Sequence, residues 1–217
     1  MEQDIAILIA DLSGYTALTE AHGSLSAADL IDKYVDIVNA SLIGNSILQE
    51  RVGDEVMIVS DCADDLLATA ELLLQTTQEE YNFLEVHGGL HVGRLLKRNN
   101  SYFGSALNLT ARIASQANAG TFLCSDDFIR AIADTSLYKF KSKGKYRFKN
   151  VTDEKEIFEI SLARPTHFCI DPICRMIINK EKSSFVHPTK SHVSFCSQTC
   201  LDTYLASETM GNLKIDA

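Results

Sequence analysis

The sequence lacks any uninterrupted apolar run long enough to span a bilayer, so no membrane partner is expected. It is short of positive charge: 20 lysines and arginines stand against 29 aspartates and glutamates, a formal net charge of -9. A chain so acidic has no general basic surface to neutralise phosphates, which argues against nucleic-acid binding but leaves room for a local anion site. No secretory signal is read, because acidic Met1-Glu2-Gln3-Asp4 leads straight into a strand-like run. Internal repeats and low-complexity tracts are missing as well. A cytoplasmic protein is the expectation.

What is present is ordinary globular material: 217 residues, 46% hydrophobic and 23% charged, enough for one or two domains. Residues 5–10 read as a buried strand and 26–43 as an amphipathic helix carrying Leu30, Ile31, Tyr34, Ile37, Val38 and Leu42. The Gly53-Asp54 dipeptide between apolar runs predicts a hairpin of strands 46–52 and 55–60. A helix over 63–84, a strand over 86–93, a helix over 105–118 and a strand at Thr121-Phe122-Leu123-Cys124-Ser125 follow, then short β segments at 136–140, 145–149 and 156–161. This order predicts an α+β fold resembling a ferredoxin-like sheet covered by helices. Aliphatic density falls at Ala163-Arg164-Pro165-Thr166, and a linker is expected over 163–167 between a domain of 1–162 and a small Cys-rich one of 168–207, with a tail of 208–217.

Two constellations carry chemistry. Asp11, in "IADLSGYT" (9–16), ends the first strand, and Asp54 sits in the hairpin turn. Asp, Ser and Gly also suit simple turn and N-cap punctuation. If the strands are neighbours, however, the two carboxylates converge, and two such acids repel unless cations lie between them or one is protonated. Mg²⁺ favours one or two carboxylates plus substrate phosphate oxygens, and the helix start after Asp11, at Leu12, Ser13, Gly14 and Tyr15, offers N–H groups to phosphate. Asn108 and Arg112, four apart on the 105–118 helix, share a face, and Arg supplies a planar permanent charge for a phosphorus transition state. The second constellation is Cys174, Cys196 and Cys200 in "DPICRM" and "FCSQTC". A C-x3-C pair plus a distant Cys suits one tetrahedral ion, with Cys169 as the natural fourth ligand and His187 and His192 as alternatives. Thiolate softness points to Zn²⁺ first, or another thiophilic metal.

"IADLSGYT", "ERVGDEVM", "VHGGLHVG" and "SYFGSALNLTARIASQANAG" occur in the order and rough spacing of the class III nucleotidyl cyclase catalytic domain, which residues 1–162 resemble. The resemblance implies head-to-tail homodimers with active sites at the interface. It implies that Asp11 and Asp54 hold two Mg²⁺ or Mn²⁺ ions. By the same resemblance Asn108 orients the ribose and Arg112 stabilises charge on the phosphate, both from the opposite protomer. The implied reaction turns a nucleoside triphosphate into a 3′,5′-cyclic nucleotide and pyrophosphate. Lys149, in "RFKNV", resembles a lysine near the triphosphate, with Lys143 and Lys145 as competitors. Glu50 stands where adenylyl cyclases carry lysine and guanylyl cyclases carry Glu; a carboxylate accepts two N–H donors of guanine, so GTP is favoured over ATP. Ser101 falls on the second base-selecting position and does not decide between them.

Residues 168–207 resemble a YHS domain, a small metal-associated module, except that Arg175 stands in its usual Gly place. A unit of this size has little core, so a bound ion or docking on the first domain would help it fold. The leading expectation is therefore a cyclase with a C-terminal metal-sensing module. The alternative is a weak or silent nucleotide- or metal-responsive regulator on the same scaffold.

Overall fold

The computed structural model describes residues 2–149, 151, 153–161, 168–179, 183 and 185–210. Its organising element is β1 (Glu2–Ser13), whose apolar run is continuous because both faces are covered. Ala6, Leu8, Ala10 and Leu12 point into the large core, while Ile5, Ile7 and Ile9 point into a second core on the other face. After β1 come α1 (Tyr15–Ser41), β2 (Ile47–Val52), β3 (Glu55–Ser60), α2 (Ala63–Glu79) and β4 (Phe83–Arg98). β1 pairs antiparallel with both β3 and β4, and β2 pairs with β3. The resulting order β2-β3-β1-β4 within a βαββαβ unit is the expected ferredoxin-like arrangement.

β5 (Ser101–Phe103) folds back on β4 as an arm, and α3 (Ser105–Ala114) crosses to β6 (Phe122–Ser125), which pairs parallel with β4. α4 (Asp126–Ala131), β7 (Lys139–Tyr146) and β8 (Lys155–Ser161) complete this part, extending the sheet in the order β6-β8-β7. α1 and α2 cover one face through Leu30, Tyr34, Val38, Leu66, Ala70 and Leu73. α3 covers the other through Ala106 and Ala114. It lies so close that a Cβ on Gly89 would sit 2.4 Å from the Ala114 amide nitrogen.

Several boundaries differ from the sequence expectation. α1 begins at Tyr15 instead of 26 and runs through a kink at Gly23 (φ 81°, ψ 168°). α2 stops at Glu79, and Asn82 takes a left-handed φ of 53° just before β4. α3 ends at Ala114. The segments expected at 136–140 and 145–149 form one strand, β7, after a 3-10 turn (Thr135–Leu137). α4 was not anticipated, although Ser125 caps it by accepting the Phe128 amide and Asp126 and Asp127 occupy its first turn.

The expected linker, 163–167, lies outside the described residues. Beyond it, β9 (Phe168–Ile170) and β10 (Met176–Asn179) form a hairpin, and β10 also pairs with the start of β4 through Met176↔Leu84 and Ile177↔Phe83. β11 (Phe185–Val186), β12 (Ser194–Phe195) and α5 (Gln198–Met210) follow; the helix continues past the expected boundary at 207. Among the described residues, no helix is long and apolar enough to cross a membrane.

Gly89→Ala is expected to push α3 off the sheet and to cost about 1–3 kcal/mol by overpacking, read as a lower midpoint in chemical denaturation.

Candidate functional site

The alternation of β1 carries Asp11 onto the α3 face, following Ile5, Ile7 and Ile9. Its carboxylate Oδ1 accepts the Leu12 amide at 3.0 Å, and His87 is its cross-strand partner on β4. Asp54 occupies the β2–β3 turn at the same rim. The structure thus brings the two predicted carboxyls close enough for Asp11 to disfavour ionisation of Asp54. Burial first, then the adjacent Asp11 carboxyl, raise the Asp54 pKa to about 6. Burial lowers the pKa of His87, whose Nδ1 lies 2.9 Å from Ser13 Oγ. The hydroxyl of Tyr34, wholly buried, is pushed up by burial and by both aspartates.

Beside this pair the chain turns into α1. Leu12 is buried, Ser13 and Tyr15 are half-buried, and Gly14 adopts a left-handed φ of 95° as the N-cap. No side chain caps the helix, and its first internal bond runs from the Leu18 amide to the Gly14 carbonyl at 2.9 Å. The amides of the first turn are therefore available to an anion. A close carboxyl pair next to uncapped helix amides suits divalent cations holding a polyphosphate.

Glu50 pairs with Met57, which pairs with Ile9, so Glu50 is exposed on the same face as Asp11. Asn108 and Arg112 project from the outer side of α3, exposed and half-buried respectively, with no side-chain partner among the described residues. Ser101 is remote. It pairs with Arg98, beyond the Glu2↔Leu96 pair, while Asp11 lies nine residues along β1 from Glu2, about 30 Å at the usual rise. One chain therefore does not gather Ser101 with the aspartates. Lys149 and Lys145 are exposed, whereas Lys143 is engaged by Glu159 at 3.0 Å.

The cysteine cluster needs a correction. Cys174, Cys196 and Cys200 do converge, with Sγ–Sγ distances of 3.4 Å (174–196) and 3.7 Å (196–200). Cys169 is not in the group; it is half-buried on β9, packed against the apolar side of this unit. The side chain that joins the three thiols is His22, whose Nε2 lies 3.4 Å from Cys200 and 3.6 Å from Cys196. All four ligand atoms lie within 4.8 Å of one another. The alternatives fail for identifiable reasons: His187 is held by Glu208 at 2.9 Å and by the amides of Thr189 and Lys190, and His192 is exposed. The spacing of cysteines carried no hint of His22, which belongs to α1.

Comparison with known proteins gives a consistent result. Residues 1–161 match the adenylate and guanylate cyclase catalytic domain. An uncharacterised protein of Mycobacterium tuberculosis is 35% identical over 118 residues, 52% of this chain and 30% of its own length. A pH-sensitive adenylate cyclase of the same species is 22% identical over 161 residues, covering 73% of this chain and 41% of its own. The chain thus spans less than half the length of these relatives. Among solved structures, the guanylate cyclase domain of RhGC from Catenaria anguillulae in complex with GTP superposes with a TM-score of 0.63 at 15% identity, over 76% of this chain and 100% of that one. At that identity the likeness speaks for the fold alone.

Asp54 fixes a pH dependence. Its folded pKa is raised from 3.8, so folding costs nothing at this site below pH 3.8 and loses stability as pH rises through about 6. In metal-free protein well above pH 6, Asp54→Asn is expected to raise unfolding stability by on the order of 1 kcal/mol after allowance for solvent screening, read from chemical denaturation, and to leave it unchanged at the acid end.

Proposed function

Because the chain belongs to the adenylate and guanylate cyclase catalytic domain family, we propose that it converts GTP or ATP into a 3′,5′-cyclic nucleotide and pyrophosphate, at sites shared between two copies of itself. The observation that carries this reading is the adjacent carboxyl pair Asp11/Asp54 beside an uncapped helix start. Two Mg²⁺ or Mn²⁺ ions bound there would activate the 3′-hydroxyl and neutralise the departing pyrophosphate. Asp11 and Asp54 supply the ligands, and the amides from Gly14 onward receive phosphate oxygens. Asn108 orients the ribose, and Arg112 offers a guanidinium that is unpaired among the described residues to the charge growing on the α-phosphate. The resemblance of "RFKNV" gives Lys149, or exposed Lys145 beside it, the role of drawing in the triphosphate.

Shared sites follow from the separation of the parts. Ser101, at about 30 Å from Asp11 along the strands, reaches a nucleotide held by Asp11 only from a second copy. The exposed apolar residues Val52, Leu96 and Phe103, at the β2–β3 turn and on the β4–β5 arm, suit contact between two chains. Exposed Glu50 favours guanine, since it presents two acceptors and no donor. We read residues 168–207 as a YHS-like metal-binding module and place the protein in the cytoplasm, where its six unbridged cysteines stay reduced.

Purified protein given each of the four nucleoside triphosphates with Mg²⁺ or Mn²⁺ is expected to yield a cyclic nucleotide, GTP being preferred; no cyclic product from any of them sinks the reading. Glu50→Lys is expected to shift preference toward ATP. Arg112→Ala is expected to lower kcat by about 10²–10³-fold. Mixing Asp54→Asn with Arg112→Ala is expected to restore product, because each hybrid dimer keeps one intact site. A mixture as inactive as its components would show that the sites are not shared.

A further inference from the structure

The second cluster reaches beyond the C-terminal unit, because one of its four ligand atoms comes from the catalytic domain. We propose that His22, Cys174, Cys196 and Cys200 bind one tetrahedral thiophilic divalent ion, Zn²⁺ by ligand chemistry, which fastens the C-terminal unit to α1 and steadies the Ser13–Tyr15 turn beside Asp11. This rests on the reading of that unit as a metal-binding module, but replaces a site closed within the module by one shared with the catalytic domain.

The geometry fits. Zn–S bonds of about 2.3 Å and Zn–N bonds of about 2.0–2.1 Å at tetrahedral angles place ligand atoms about 3.8 Å apart for S–S and about 3.6 Å for S–N. The cluster has S–S distances of 3.4 and 3.7 Å and S–N distances of 3.4 and 3.6 Å. The three cysteines are buried, and His22 is half-buried, so the site is closed in the manner of a structural ion. Three sulfurs and one imidazole suit Zn²⁺ better than hard cations, which prefer oxygen.

The scaffold around the ligands is built to hold them. The fully buried carboxylate of Asp171 accepts the amides of Ile173 at 2.7 Å, Cys174 at 3.2 Å and Cys196 at 2.8 Å, tying the two cysteine loops together. Ser197 Oγ accepts the Cys200 amide at 3.2 Å. On the other side the kink at Gly23 comes directly after His22, and Ala21 packs against the apolar residues of the C-terminal unit.

The same contact surface reaches the catalytic turn. A Cβ on Gly14 would lie 2.5 Å from Arg175 Cβ and 2.7 Å from its Cγ, so the stem of Arg175 rests on the Gly14 backbone. Arg175 follows Cys174 directly and holds a left-handed φ of 66° that a non-glycine residue rarely adopts. Displacing Cys174 from the ion therefore moves the residue that packs on the turn beside Asp11.

The test uses the full-length, reduced protein. One zinc per chain is expected after removal of loosely bound metal, and X-ray absorption at the zinc edge is expected to fit three sulfurs and one imidazole nitrogen. Cys169→Ser is expected to keep this metal. His22→Ala is expected to weaken its binding by more than the roughly 10–100-fold that loss of an outer-sphere partner costs. Chelation is expected to speed amide exchange over residues 13–22 in the wild type. Four-sulfur coordination in the wild-type protein, or metal retained by His22→Ala but lost by Cys169→Ser, would overturn the shared site while leaving a metal-binding module. A wild-type chain without stoichiometric metal would overturn both. None of these readouts requires turnover, so they stand apart from the cyclase assays.

Discussion

The arrangement depends on keeping two carboxyl groups together at the rim of a sheet. Partial burial and the neighbouring Asp11 carboxyl hold the Asp54 carboxyl well above its ordinary range. β1 makes this placement possible. Its two-sided burial locks the register with β3 and β4, and a slip of one residue would turn Asp11 into the α1/α2 core. The hydrophobic pattern of one strand thus determines where the charged chemistry is presented.

The same register separates the remaining parts. The row Glu50–Met57–Ile9 leads toward the carboxylates, while Ser101 lies at the far end of the β4–β5 arm. Asn108 and Arg112 stand between, on a helix held tight against Gly89. These groups thus stand at different places along one face of the sheet.

What was legible in the sequence is what local pattern encodes. The apolar run 5–10, the Gly53-Asp54 hairpin and the Asn108/Arg112 spacing each express a period or a turn rule, and each takes its expected place. The first part of α1 was not legible, because "YTALTEAHG" carries only Leu18 as a fully buried apolar anchor and ends on a glycine. The fourth ligand was hidden for a different reason. His22 and Cys200 are 178 positions apart, and their meeting depends on β10 adding to β4 and on Ala21 packing beneath the cysteines. No spacing rule within the C-terminal segment records that contact, so Cys169 was the nearest available choice.

The break in α1 at Gly23 also has a mechanical meaning. The piece before it, Tyr15 to His22, is a stiff rod of about 12 Å, anchored by the turn after Asp11 at one end and ending at the thiols on the other. Leu18 seats this rod in the same core that holds Tyr34 and Val38, so the break redirects the helix while both of its pieces stay packed. The thiol cluster and the turn after Asp11 are thereby the two ends of one short, seated helix.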